Sequence, residues 1–403
     1  MSCDLIIVGG GPAGLVLAAE AGEAGLRVVV LAGERSAWTA NYGAWVDRFE
    51  ALGVTGCFSQ VWSDVDVHLG DDNPVALGRA YARVDNMALR GSLLSRCAAA
   101  SVDIHQVDAA SVTHGPTGSV VLDKVGGSWS ATLCVDASGH GPVLVQRSGR
   151  PSLWQAAYGV QGALPGHDLP ADRMLFMDLR PAPEADEALP SFLYGMPLSE
   201  DRVFLEETSM IRGPAVAFET LRKRLEARLR ARGLGFEGVE STELCLIPMD
   251  SPLPDLRQRV IGFGGAASMV HPASGYLLPA VFRAAPRVVR SLVDSLGRGA
   301  DVDAAARAAW RAVWPTSELI RRELFLYGAR ILADLDTRDT VAFFRAFFST
   351  PPVLWRGYLD DASLELVVRS MGSSFRRCDG ATRWKLMRAG AQLPGALWRP
   401  VLA

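Results

Sequence analysis

The chain has 403 residues, 49% of them hydrophobic and 21% charged, with a formal net charge of −3. That length calls for two or three structural units around well-buried cores, and the slight acidity argues against nucleic acid as a partner. No apolar stretch reaches the roughly 18 to 20 residues that span a bilayer. The six cysteines and six histidines are scattered without metal-ligand spacing, so no metal site is expected. The cysteines read as reduced core thiols of a cytoplasmic protein, and the direct opening into a strand leaves no room for a signal or transit peptide.

Asp4-Leu5-Ile6-Ile7-Val8 reads as a buried parallel strand. It runs into Gly9-Gly10-Gly11-Pro12-Ala13-Gly14, a helix over residues 15–19 that stops near Gly25, and a second strand at 28–31. This is the dinucleotide fingerprint: Gly9 for the tight turn, Gly11 for close approach to a pyrophosphate, Gly14 for helix–strand packing. Pro12 suits the first helical turn, whose free amides, from Ala13 on, meet phosphate charge. The fingerprint wants an acid at the end of the second strand, where Leu31-Ala32-Gly33 stand; the first carboxylate is Glu34. Either Glu34 reaches back or another group holds the ribose. No arginine cluster marks a 2′-phosphate, which favours FAD over NADP.

In the apolar connection 41–47, Tyr42 and Trp45 either line a pocket or pack in the core. Short strands and glycine turns over 104–134 predict a β-meander. It ends in the small-residue turn Asp136-Ala137-Ser138-Gly139, which lets a cofactor ring approach the backbone. Strand-like runs over 155–210 predict an antiparallel sheet, and residues 215–232 a helix with Leu221, Leu225 and Leu229 inward and its basic residues in solvent. A strand, a glycine turn at Gly264-Gly265-Ala266 and a helix to about Leu296 return to the nucleotide style, so the first domain is discontinuous. Beyond residue 300 the chain reads as helical, with breaks at Pro315 and Pro351-Pro352.

The expected fold is α/β with α+β insertions. It comprises a Rossmann-type FAD-binding part over 1–150, an antiparallel substrate sheet with its helix over 151–250, a second FAD-binding part over 251–300, and a helical region over 301–403. This order resembles the flavoprotein hydroxylases and geranylgeranyl reductases. NYGAWVD from Asn41, QAAYG from Gln155, FLEETS from Phe204 and MVHPASGY from Met269 sharpen the likeness. With these strings the chain resembles the plant and cyanobacterial lycopene β-cyclases from about residue 4 to residue 370. It departs from the hydroxylases at Gly264-Gly265, where they carry Gly-Asp, and from the family near Ala32 and Asn86, where an acid and a base are common.

The resemblance implies a non-redox cyclisation of the ψ-ends of lycopene, or a related apolar isoprenoid, to β-ionone rings, giving γ-carotene and β-carotene. It implies reduced FAD without turnover and NAD(P)H only as reductant. The acid–base work is carried over to Glu206 and Glu207. Protonating an isolated alkene needs a carboxylic acid still protonated near neutral pH. Raising a glutamate from ~4.3 to about 7 takes roughly 3.7 kcal/mol of differential stabilisation, which burial can supply. On a strand the two glutamates face opposite ways, with Phe204, Glu206 and Thr208 sharing one face, so Glu206 is the favoured acid. Tyr42, Trp45, Tyr158, Tyr194, Phe204 and His271 are candidate pocket residues. A flavin monooxygenase or reductase on an apolar isoprenoid, a cyclase of another prenyl chain, and a lipid-carrying flavoprotein are the alternatives. Because a polyene does not diffuse through water, a peripheral membrane contact is expected in the C-terminal third. Either the phenylalanines of 341–358 and the basic and tryptophan residues of 376–399 meet the lipid, or the phenylalanines fill the core and the arginines are solvated, or the two divide the stretch, with 341–358 in the core and 376–399 at the lipid.

Overall fold

The structure, a computed structural model, describes residues 3–33, 38–183, 185–360 and 363–391. The apolar strand Cys3–Val8 pairs in parallel with Val28–Leu31 on one side and Ser128–Asp136 on the other. Asp103–His105 extends the sheet beyond Val28–Leu31. Gly118–Asp123 and Ala109–Gly115 continue it beyond Ser128–Asp136 as an antiparallel meander. Helix Pro12–Glu23 starts on its proline and buries Leu15, Val16 and Leu17. It packs against helices Asn86–Ala99 and Leu278–Gly297. The late strand Ile261–Gly262 pairs with Val135 and Asp136, so the returning segment closes the sheet that residue 3 opens.

The second sheet runs in the order Gly238–Pro248, Trp154–Ala163, Arg202–Ser209, Ser191–Pro197, Arg173–Asp178, Asp64–His68, Pro74–Ala76. Its last two strands come from within 1–150, the range expected to be wholly nucleotide-binding. Asp64–His68 pairs in parallel with Arg173–Asp178, from which a helix and several strands separate it in the chain, a pairing no local pattern announces. Helix Phe218–Ala231 covers one face through Leu221, Leu225 and Leu229. Its basic residues do not all lie in solvent, because Arg224 and Arg228 are buried. The opposite face of this sheet looks across a cleft to His140 and the 273–279 turn.

A small sheet of Gly43–Trp45, Tyr81–Val84 and Phe58–Trp62 bridges the two parts. In the C-terminal region, helix Val302–Val313 seats Trp310 on the first sheet, its indole donating to the Gln258 carbonyl at 3.0 Å. Helices Thr316–Leu332, Thr337–Phe348 and Pro352–Asp360 pack Phe325, Phe347, Phe348, Trp355 and Tyr358 into one aromatic core. Helices Leu364–Arg377 and Gly380–Ala391 cover that bundle.

Candidate active site

Three glycine turns meet at the carboxyl end of the parallel strands. Gly9 has φ +117°, and a Cβ there would strike the Ala137 carbonyl. At Gly14 a Cβ would collide with the Gly9 carbonyl oxygen, and at Gly265 it would come within 2.9 Å of the Gly139 backbone. Gly11 differs: nothing lies within 4 Å of where its Cβ would be, and as N-cap it offers the helix no side-chain partner. Gly139, at φ +103°, also faces open space. Arg147 ties the turns together by donating to the carbonyls of His140, Gly265 and Ala266 at 3.0 to 3.2 Å. A helix start with free amides, bare at Gly11 and floored by backbone, fits a dinucleotide pyrophosphate.

Asp136 does not contribute a free carboxylate to this cradle. Its oxygens accept from the Ser138 amide and hydroxyl and from the Leu144 and Val145 amides, at 2.6 to 3.0 Å. It therefore shapes the turn. Glu34 lies outside the described residues. The Asp108 carboxylate stands against Gly33, where a Cβ would collide with it. That is the place at which the fingerprint wants an acid.

Beside the cradle opens a cleft enclosing about 1380 Å³, mouth included. Ala40 to Gly43, His140 and the Ala273–Pro279 turn line it on the nucleotide side, and the second sheet forms its floor. On that floor Glu206 lies opposite Tyr194 on one neighbouring strand and opposite Gly159 on the other. Gly159 in turn lies opposite Glu243. The cross-strand row Tyr194–Glu206–Gly159–Glu243 thus places two carboxylates on one face, about 10 Å apart at the backbone, with no side chain between them. The Phe204 ring lies over Gly159, within 2.7 Å of its missing Cβ. It makes the gap apolar. Tyr81, Phe176, Phe192 and Tyr276 complete an aromatic wall, with the Tyr81 and Tyr276 hydroxyls 2.8 Å apart.

Burial pushes the Glu206 carboxyl up to about 7, against a smaller lowering by the Thr208 hydroxyl 2.7 Å away; Glu243 adds like charge in the raising direction. Glu243 is also raised by burial, and is held back by the Asn41 amide and the Arg83 charge. Glu207 points the other way. Fully buried, it accepts from Arg228 Nε at 2.7 Å and from the Ser191 hydroxyl at 2.6 Å. It pins the Phe218–Ala231 helix to the sheet, away from the cleft.

Of the other candidate pocket residues, Tyr42 and Tyr194 line the cleft. Trp45 does not: it packs against Tyr81 at 4.8 Å, under the Arg79 guanidinium. Tyr158 lies on the opposite face of its strand, beneath the helix. Phe204 sits below the cleft surface, 3% exposed. His271 lines a neighbouring cavity with Arg283 and Arg287. Burial pushes its ring down to about 3, so it is neutral, and Nδ1 lies 2.9 Å from the Ser274 hydroxyl. Glu243, His140, Tyr81 and Tyr276 were not singled out by sequence. For Glu243 the only available signal was its alternation with Cys245 and Ile247 along one strand. Among the described residues no group of acids, histidines and cysteines is arranged to hold a metal.

Parallel strands, glycine turns and a floor sheet define the class first. A geranylgeranyl bacteriochlorophyll reductase-like protein from Thermoplasma acidophilum superposes with a TM-score of 0.72 over 96% of this chain and 99% of that one, at 12% identity. An anhydrotetracycline hydroxylase from Streptomyces rimosus gives a TM-score of 0.58 at 17% identity, over 97% and 76%. The fold is that of the FAD-dependent oxidoreductases. Within it, the family model described as lycopene cyclase protein matches residues 4–369. Lycopene beta cyclase of Synechococcus elongatus is 33% identical over 99% of both chains. The chloroplastic lycopene beta cyclase of Solanum lycopersicum is 36% identical over 96% of this chain and 80% of its own. The chain belongs to the lycopene cyclase family.

Proposed function

We infer that the chain cyclises the ends of lycopene to β-ionone rings by acid–base chemistry, with Glu206 as the proton donor. The observation that carries this reading is a carboxyl group, pushed up to about 7 by burial, on the floor of an aromatic cleft beside a dinucleotide cradle. The acid protonates the terminal alkene, the tertiary cation closes onto the chain, and a ring proton leaves, so atoms and electrons are conserved. Tyr194, Tyr81 and Phe176 line the cleft, and each π-face turned to the developing cation would be worth roughly 0.5 to 2 kcal/mol. The apolar walls exclude water, which would otherwise capture the cation as an alcohol.

The residues fit FAD. The amides following Gly11 would hold the pyrophosphate, the Gly264–Ala266 backbone and Gly139 would take the adjoining chain, and Asp108 or Glu34 the ribose. Reduced FAD would supply negative charge beside the cleft, with NAD(P)H serving only as its reductant. Membrane contact belongs to the same reading. Trp384 and Met387 are 56% and 55% exposed on the last described helix, flanked by exposed Arg383 and Arg388. Trp398 and Arg399 lie outside the described residues. No described helix is long and apolar enough to cross a membrane, so the contact proposed is peripheral.

A neoxanthin synthase of Solanum lycopersicum is 34% identical over 95% of this chain and 81% of its own, which keeps a different isoprenoid substrate as the second reading. Anaerobic incubation with lycopene and chemically reduced FAD tests the first. Ring formation without oxygen or stoichiometric reductant is the expected result. An unchanged polyene, or a product that appears only with oxygen, contradicts it.

A further inference from the structure

We propose that Glu243 is the proton acceptor of the reaction, working across Gly159 from Glu206 as proton donor, an assignment that rests on the cyclase reading. The two carboxylates face one cleft from the strands on either side of Trp154–Ala163, each in register with Gly159. Their surroundings differ in the way a donor and an acceptor must. The Asn41 amide donates to Glu243 Oε1 at 3.0 Å, and the Asn41 side-chain oxygen accepts from Arg83 Nε at 2.8 Å. A hydrogen bond and a nearby guanidinium favour the charged carboxylate. Glu206 also accepts from a hydroxyl, that of Thr208 at 2.7 Å, but with the Phe204 ring beside it the larger effect is burial, which favours the protonated form. When two acids share a desolvated site and their environments push them apart, the environments assign the roles. The remaining groups facing Glu243 are Tyr42 and Cys245, both held neutral by burial, while Arg83 also feels Tyr194, Arg202 and Glu240.

The step balances. The Glu206 O–H bond breaks and a C–H bond forms at the terminal alkene carbon; ring closure forms one C–C bond. A ring C–H bond then breaks, its electron pair making the ring alkene and its proton passing to Glu243. The product is an isomer of the substrate, with Glu206 left ionised and Glu243 protonated. Returning the proton from Glu243 to Glu206, directly or through solvent at the cleft mouth, resets the site. One carboxylate acting twice would have to serve two carbons on opposite sides of the closing ring's new bond. Two carboxylates about 10 Å apart at the backbone bracket a ring without moving.

The test measures lycopene cyclisation by the full-length, FAD-loaded protein from pH 5 to 9, for the wild type, Glu243→Gln and Glu243→Asp. The wild type is expected to give a bell: activity falls on the acid side as Glu243 protonates and on the alkaline side as Glu206 ionises. In Glu243→Gln, whose amide oxygen still accepts from Asn41, kcat is expected to drop about 100-fold or more with KM unchanged. Its acid limb should vanish, and its alkaline limb should move to lower pH because the like charge is gone. Glu243→Asp is expected to recover part of the rate and the acid limb. A wild-type profile without an acid limb, or Glu243→Gln within threefold of wild type with both limbs intact, overturns the assignment while leaving the cyclase reading in place. Should Glu243→Gln fail to retain flavin, the wild-type and Glu243→Asp profiles decide: an aspartate variant without an acid limb overturns the proposal. A wild type that forms no rings overturns the cyclase reading, and this assignment with it.

Discussion

Alternation along one strand sends Glu206 into the cleft and Glu207 beneath a helix, and the two destinations predict different mutants. Glu206→Gln keeps the shape but has no proton to give, so cyclisation should fall by about 100-fold or more with FAD retained. Because the folded carboxyl stands near 7 and the unfolded one near its ordinary 4.5, folding is favoured by this group at low pH and opposed above 7. Glu206→Gln should therefore raise the thermal midpoint at pH 8 and change it little at pH 5. A midpoint lowered equally at both values would mean that the carboxyl is not desolvated. Glu207→Gln leaves the buried Arg228 guanidinium without its counter-charge, a loss of about 3 to 5 kcal/mol for a buried pair. It should lower the midpoint while the protein that remains folded turns over normally; lost turnover at full stability would move Glu207 into the chemistry.

At the scale of elements, the strand–turn–helix at the start carries its own test. Gly11 faces open space and has φ −77°, so Gly11→Val should fold and lose flavin absorbance. Gly14→Ala, whose Cβ would collide with the Gly9 carbonyl, should fail to accumulate as folded protein. Retained flavin in Gly11→Val would remove the pyrophosphate from that turn. Features set by neighbours in the chain were legible: the glycine turn, the meander, the helix breaks at proline, and the opposite facing of Glu206 and Glu207. Features set by distant pairing were not. Strand Asp64–His68 joins the second sheet through residue 173, and nothing in its own alternation says so. Trp45 and Tyr158 were candidates because aromatics suit a cation, yet which face of a strand meets the cleft is decided by the helix packed on the other. Arg224 and Arg228 read as solvated because a buried arginine is uncommon; their partners lie on other elements, Glu207 for Arg228 and the Leu189 carbonyl with the Ser191 hydroxyl for Arg224. Glu243 alternates with Cys245 and Ile247, but the run is short and the first half of its strand, which holds Glu240, is exposed throughout.

At the scale of the molecule, the proposed reading has a polyene pass from bilayer to cleft, and it assigns the docking surface to the last helices. Phe347, Phe348 and Trp355 are core, so the docking side chains proposed are those left outside: Trp384, Met387, Arg383 and Arg388. Leu386 and Cys378 pack beneath them with Ile331 and Leu335, so truncation would strip the core along with the surface, and point changes make the cleaner test. Sedimentation with anionic vesicles at low salt is expected for the intact protein, weakened by salt and by Trp384→Ser combined with Arg383→Glu and Arg388→Glu. Intact protein left in the supernatant would take the membrane contact out of the account. The central claim is that rings arise by proton transfer from a carboxylic acid with no net redox change. Cyclisation in D₂O, under anaerobic conditions with pre-reduced FAD, tests it most directly by product mass and deuterium position. The account predicts one solvent deuterium bound to carbon per ring, in a product otherwise isomeric with lycopene; rings that carry no solvent deuterium would contradict it.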